Sequence, residues 1–349
     1  MSLLYVDSFD HYQTSDLKLK WDQINEPSSG SPTVTIAPTG GRRGGGALLM
    51  GLLGGWVKKT LAGSPTTVIT GAAIKLSTFG DSTAPLIAFG GTADHVRICT
   101  LANGSLVAQR MVSTPAVPQQ IGVTSAAAVP TNVFFYLEVK VTISDTGGRV
   151  KILVNGATVL DLIDINTLGT GAGTGVGYVK YFNGTLLAMP TTVDDLYICD
   201  GNGIRNNDFL GDIRIDVCRP NDDGTYRDFV PDTGTVHYSR VNEAIADTTT
   251  SVASAIAGTK DSYQFSDVTL VGGFIKGLQI VNAALKDDSG PRSIANLTRS
   301  GTAEVESAVM PLSTDRRLYS TIQETDPATG GSWTPAAVSA AEFGVTVVE

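Results

Sequence analysis

Cysteine, histidine and charge are all scarce in this chain, and each shortage removes a class of function. The three cysteines, Cys99, Cys199 and Cys218, stand far apart without CxxC spacing. That excludes a disulfide framework and reads as buried or free thiols in a protein made in a reducing cytoplasm. His11, His95 and His237 are too few and too scattered for a zinc motif, and each is expected in a surface or turn role. Charged residues make up 17% of the chain, below the roughly 25% usual in soluble proteins, which argues against charge-driven disorder. The balance is acidic, −9 overall, and the basic clusters are only Arg42-Arg43, Lys58-Lys59 and Arg316-Arg317. They are too short for a phosphate-binding stripe, so no nucleic-acid partner is expected. No apolar run approaches the ~18 residues that cross a bilayer, and no basic segment followed by an apolar stretch opens the chain. Neither a membrane partner nor a classical signal peptide is expected. Walker A, GxSxG and GxGxxG patterns are missing as well.

What is plentiful is glycine, at 39 of 349 residues, together with Thr, Val and Ala. This mixture favours many short strands joined by tight turns. Residues 132–143, NVFFYLEVKVTI, set Phe135, Leu137, Val139, Val141 and Ile143 on one side and Tyr136, Glu138, Lys140 and Thr142 on the other. That period of two predicts a strand buried on one face. Asn155-Gly156 between two β-rich runs predicts a hairpin, because a type I′ turn needs positive φ at both central residues. Asn103-Gly104 predicts a second. Further strands are expected over 66–77, 85–91 and 175–182, with loops over 28–46, 114–130 and 169–177. The one helix candidate, 239–246, is short and runs into the poorly helical DTTTS.

After Asp200 the texture turns polar and turn-rich in GNGIRNNDFLGD. The expected division is a domain over 1–200, a connector over 201–211 and a second antiparallel β-sandwich over 212–349 that opens with a strand at Ile213 to Val217. The fold class is therefore all-β, two sandwiches in series.

The residues FFYLEVKVTISDTGGRVKILVNGATVLDL and the closing VDDLYICD resemble the laminin-G-like, or concanavalin-like, jelly rolls. The resemblance covers about the first 200 residues and implies that VDDLYICD returns beside the N-terminal YVDSFDHY. Taken with GRRGGGAL, the connector and the late TDPATGGSWTPAAVSAAEFGVTVVE, the whole arrangement is similar to structural proteins of tailed-bacteriophage virions. That resemblance implies a non-enzymatic component of head or tail, assembled in the bacterial cytoplasm and working in repeated copies against other virion proteins. The alternative is a module that binds host-surface glycan during adsorption. A polysaccharide-degrading enzyme ranks third.

The candidate sites follow from chemistry. Asp194, Asp195 and Asp200 offer oxygen donors that calcium would accept, although the register of an EF-hand is missing. Asx-turn chemistry is the expectation preferred for them, and no cofactor is expected. Arg42 and Arg43 beside glycines could hold an anion or an acidic partner. Trp56 is a candidate glycan contact, with at least two of Trp21, Trp56 and Trp333 expected in cores. Asp161 and Asp164 have the wrong parity for one strand face, and Glu304 and Glu306 the right one, so neither pair makes a strong hydrolytic dyad in the first domain. No catalytic residue is assigned.

Overall fold

The computed structural model describes residues 2–25, 33–51, 54–113, 116–183, 190–268 and 273–349. It is almost wholly β and divides into two compact units, 1–215 and 216–349.

Unit 1 carries strands β1 (Leu3–Asp7), β2 (Gln23–Asn25), β3 (Val34–Ala37), β4 (Ala47–Met50), β5 (Trp56–Thr60), β6 (Thr67–Leu76), β7 (Pro85–Gly90), β8 (Asp94–Thr100), β9 (Leu106–Val112), β10 (Val117–Val123), β11 (Phe135–Thr142), β12 (Gly148–Val154), β13 (Ala157–Ile165), β14 (Tyr178–Phe182) and β15 (Thr191–Asp200). They form two antiparallel sheets. The first runs β13-β12-β11-β6-β15-β4-β3 with β1 paired to β15, and the second runs β10-β9-β8-β7-β14-β5-β2. This is the sandwich expected from the sequence. Between the sheets lies one apolar core, to which alternate residues of each strand contribute: Phe135, Leu137, Val139 and Val141 from the first sheet, Val57, Val96, Ile98, Val179 and Tyr181 from the second. The Tyr181 hydroxyl reaches Thr70 Oγ1 of the opposite sheet at 2.6 Å, which satisfies a polar tip inside that core.

The closing strand behaves as expected. Tyr5, Val6 and Asp7 of β1 pair with Ile198, Tyr197 and Leu196 of β15, Leu196 and Ile198 enter the core, and Tyr197 turns outward to Glu138. A bulge between Asp194 and Tyr197, with Asp195 at φ 46°, re-aims the two aspartates. The Asn155-Gly156 turn has φ of 50° and 79° and joins Val154 to its partner Ala157, as the sequence pair requires.

Four expectations fail. The 28–46 loop contains β3, which pairs with β4. The 114–130 loop contains β10, whose residues are largely exposed; an edge strand with little burial on either face leaves no alternation to read. The strand expected at Ile213 to Val217 does not form. Two of its backbone groups are taken by side chains instead: Arg42 Nη2 donates to Ile213 O, and Ile215 N donates to Asp195 Oδ1 at 2.8 Å. The helix candidate at 239–246 is reduced to one 3-10 turn at Tyr238–Arg240.

Unit 2 carries β16 (Pro220–Arg227), β17 (Val230–Pro231), β18 (Val252–Ala253), β19 (Lys260–Phe265), β20 (Leu278–Ala284), β21 (Ser293–Ser300), β22 (Ala303–Glu306), β23 (Met310–Pro311), β24 (Arg317–Gln323) and β25 (Glu342–Val347). Its main sheet runs β16-β19-β25-β21-β22 with β23 on β21, and β20 and β24 form a separate ribbon. Asn296 ties the ribbon to the sheet, accepting from Asn282 Nδ2 at 2.7 Å and donating to Thr321 Oγ1 at 2.9 Å. Trp333 plugs a small core with Val338, Ala341 and Phe343. A short helix, α1 (Pro335–Ala340), precedes β25, with Thr334 accepting from Ala337 N as its cap.

Candidate functional site

The outward face of the second sheet of unit 1 gathers the chemistry. In β14 the alternation that sends Val179 and Tyr181 inward sends Tyr178, Lys180 and Phe182 outward. In β5 it does the same for Trp56, Lys58 and Thr60, and the antiparallel register sets Phe182 opposite Trp56, Lys180 opposite Lys58, and Tyr178 opposite Thr60. The row through Lys58 continues from strand to strand: Gln23 pairs with Lys58, Lys180 with Ala88, Ala88 with Arg97, Arg97 with Gln109, and Gln109 with Gln120.

Aromatic rings and cations interleave along this face. The Lys180 ammonium sits 4.6 Å from the Tyr178 ring centre and 5.2 Å from that of Trp56. The Lys58 ammonium lies 5.2 Å from Tyr178 on the same face. Trp56 and Phe182 are 6.4 Å apart and tilted by 51°. Asp94 is the carboxylate in the middle. It accepts from the Tyr178 hydroxyl at 2.6 Å, from Arg97 Nε at 2.7 Å and from Lys180 at 3.4 Å. Burial alone would raise the Asp94 carboxyl, but the Tyr178 hydrogen bond and the charges of Arg97 and Lys180 outweigh it and hold it below the usual range. Burial, then the Asp94 charge and hydrogen bond, push the Tyr178 phenol well up. At neutral pH Tyr178 is therefore a proton donor fixed in place.

Where β2 and β5 meet at the sheet edge, a cleft of about 400 Å³ is lined by Lys18, Trp21, Asp22, Gln23, Ile24, Asn25 and Trp56. Trp21 is buried as its floor. Asn25 donates to Gly54 O at 2.8 Å, and Asp22 accepts from Thr60 N at 2.6 Å.

The residues singled out in the sequence are distributed differently. Trp56 is on this face and half-buried, while Trp21 and Trp333 are buried. Arg42 lies on the other sheet's outer side as an internal staple. Its guanidinium meets Asp195 at 2.6 Å and Asp212 at 2.6 Å and covers the Tyr136 ring at 5.2 Å. Arg43 reaches Asp195 at 3.9 Å and stays half exposed. Asp194 accepts from Arg42 N at 2.9 Å, whereas Asp200 accepts from Asn202 N as an Asx-turn. Asp194 and Asp195 are thus both engaged by Arg42 and Asp200 by its own turn, and no cluster of three or more His, Cys, Asp or Glu placed to hold a metal occurs among the described residues. Asp161 is held by a two-pronged Arg149, and Glu304 and Glu306 by Lys260.

His95 departs from its expected surface role. It is fully buried, accepting from Gly169 N at 3.0 Å and lying 3.2 Å from Gly175 O, and so it anchors the glycine-rich loop 169–177. Burial lowers its pKa. His237 is also buried, 2.9 Å from Asp261.

Asp194 in the bulge carries a pH signature. Burial first, then the neighbouring Asp195 charge, raises Asp194 to about 6. Burial likewise raises Glu138 and Asp10. Groups raised on folding contribute stability that is present below their unfolded pKa and lost as pH rises through the folded value. The Asp194 contribution should therefore favour unit 1 at pH 5 over pH 8 by about 1–2 kcal/mol after allowance for solvent screening; His95, lowered by burial, works in the opposite direction over the same range, so the difference between the native chain and D194N isolates the Asp194 part. Urea midpoints across that range check this.

No protein-family model and no curated protein sequence matches the chain. Among solved structures the chain is similar to an endo-β-1,4-glucuronan lyase from the fungus Trichoderma reesei, at 15% identity and a TM-score of 0.39 over 51% of this chain and 90% of that one. It is similar to an endo-1,3-β-glucanase from Streptomyces sioyaensis, at 14% identity and a TM-score of 0.39 over 56% and 95%. It is also similar to a carbohydrate esterase from the Shiga toxin-encoding bacteriophage phi24B, at 13% identity and a TM-score of 0.35 over 56% and 99%. At this distance the likeness speaks to fold. The company is nonetheless carbohydrate-active, and it corrects the expectation of a non-enzymatic virion structural component: a sandwich of this kind does not mark a chain as structural or as lacking enzymatic activity. What the chain shares with these proteins is a jelly-roll-like β-sandwich.

Proposed function

We propose that unit 1 binds glycan on the outward face of its second sheet. The observation that carries this reading is the in-register file of Trp56, Phe182, Lys180 and Tyr178 on β5 and β14. Sugars present apolar ring faces edged with hydroxyls, and an aromatic ring beside fixed donors and acceptors matches both. Trp56 supplies a half-buried ring, and Gln23 and Asn25 stand on the same face beside it. The glycan-active solved structures agree with this reading without carrying it. The setting supported by the sequence resemblance is a phage particle that presents this face, in several copies, to host-surface polysaccharide.

Replacing Trp56 by Ala should weaken polysaccharide binding by about 2 kcal/mol, roughly thirtyfold, the loss of a central aromatic anchor. Affinity electrophoresis or calorimetry against a panel of neutral and acidic polysaccharides measures it. Unchanged affinity of W56A for every polymer that the native chain binds would remove the face from consideration.

A further inference from the structure

The chain as a whole is acidic, yet the middle of this face is cationic. Lys58, Lys180 and Arg97 share one row across β5, β14, β7 and β8, a span of about 14 Å at ordinary strand spacing. Both lysine ammoniums converge on the same ring, that of Tyr178. The carboxylate within reach is Asp94, and it is saturated: Tyr178, Arg97 and Lys180 all donate to it. Lys58 has no carboxylate partner among the described residues, and it stands directly opposite Lys180. Like charges in such positions repel unless an anion lies between them. Two further aspartates of unit 1, Asp22 and Asp81, are already occupied. Asp22 accepts from Thr60 N and lies 3.6 Å from Lys59, and Asp81 accepts from Thr83.

From this geometry we infer that the glycan held on this face is an acidic polysaccharide, whose carboxylate or sulfate groups are met by Lys58, Lys180 and Arg97 while its ring faces pack on Trp56. The inference rests on the glycan-binding reading and adds the charge class of the ligand. A polymer with regularly spaced anions suits a row that runs across several strands. Arg97 and Tyr178 are pre-set by Asp94, so little ordering is lost when the polymer arrives.

The test uses the full chain and three carboxylated polymers (polygalacturonate, alginate and hyaluronate), their carboxyl-reduced neutral counterparts, dextran sulfate, and single-stranded poly(dT). At least one carboxylated polymer or dextran sulfate should bind, and its neutral counterpart, or dextran for dextran sulfate, should bind at least about tenfold more weakly. Binding should weaken with added salt. K58Q should lower affinity for the acidic polymer by about three- to tenfold at unchanged Tm, within the reach of a single charge contact; K180Q should lower it by a similar factor together with some loss of Tm, because Lys180 also pairs with the buried Asp94. A preference for carboxylated polymers or for dextran sulfate assigns the anion. If a carboxyl-reduced polymer binds as tightly as its parent, and W56A weakens both, the charge inference falls while the glycan reading stands. If no polysaccharide binds, both fall. Tighter binding of poly(dT) than of any glycan overturns the inference in favour of a nucleic-acid surface.

Discussion

Replacing Arg42 by Met should destabilise unit 1 by about 3 kcal/mol, because a buried carboxylate loses its main partner. The Arg42 guanidinium is nearly enclosed, and it holds Asp195, itself 4% exposed at the side chain, at 2.6 Å. The same side chain grips Asp212 and the Ile213 carbonyl, so one residue fastens the chain after Asp200 onto the first sheet. Arg43, 3.9 Å from Asp195, can recover part of the loss, which places the effect at the lower end for broken buried pairs. Other ties remain along the same stretch. Gly211 N donates to Glu138 Oε1 at 2.9 Å, Leu210 N donates to the Tyr197 hydroxyl at 3.1 Å, and Lys140 meets Asp208 at 3.1 Å. Chemical denaturation should show the lowered midpoint, and amide exchange should quicken first at Ile215, whose acceptor is Asp195. A loss under about 0.5 kcal/mol, the level of a surface pair, would mean that the staple is not structural.

Trp21→Ala should cost unit 1 about 3–5 kcal/mol, the range for emptying a large buried aromatic site. The indole is 1% exposed, stacks on Phe9 with rings 6.4 Å apart and parallel to 1°, and meets Tyr5 edge-on at 5.4 Å. Its Nε1 donates to the Tyr12 hydroxyl at 3.3 Å, and Tyr12 and Tyr5 both donate to Asp7 at 2.8 and 2.7 Å. Removing the indole therefore leaves a cavity beside a buried carboxylate network. Trp21→Phe keeps most of the volume and should retain most of the stability. Thermal unfolding of the two variants separates volume from the lost hydrogen bond.

The sandwich was legible in the sequence where apolar residues alternate along a strand, although β11, expected to bury one face, buries Tyr136 and Glu138 of its other face as well. Residues 135–142 alternate cleanly because Phe135, Leu137, Val139 and Val141 all reach the core, and Asn155-Gly156 announces its own turn. β10 was not legible, since its side chains are mostly exposed. Residues 213–217 look like a strand by composition but find side-chain partners instead of a ladder, and only the fold reveals Arg42 at their backbone. The same holds for the site. YVKYF shows that Tyr178, Lys180 and Phe182 share a face, and Trp56 was already singled out. That these two segments, more than 100 residues apart, pair in register to form one surface is a matter of topology. The signal available in the sequence was the unusual pairing of Lys with aromatics at alternate strand positions, against the acidic balance elsewhere. The arginines of GRRGGG drew attention for the opposite reason: a conspicuous local cluster of which the fold uses Arg42 internally and leaves Arg43 half exposed.

The most direct measurement is a crystal structure of the full chain with an oligosaccharide cut from whichever polymer binds. The account predicts a sugar ring against Trp56, with the chain continuing along Lys58, Lys180 and Arg97 on the outer face of the second sheet. Sugar density at the Arg42–Asp195 side of the first sheet, or on unit 2, with the Trp56 face empty, would contradict it.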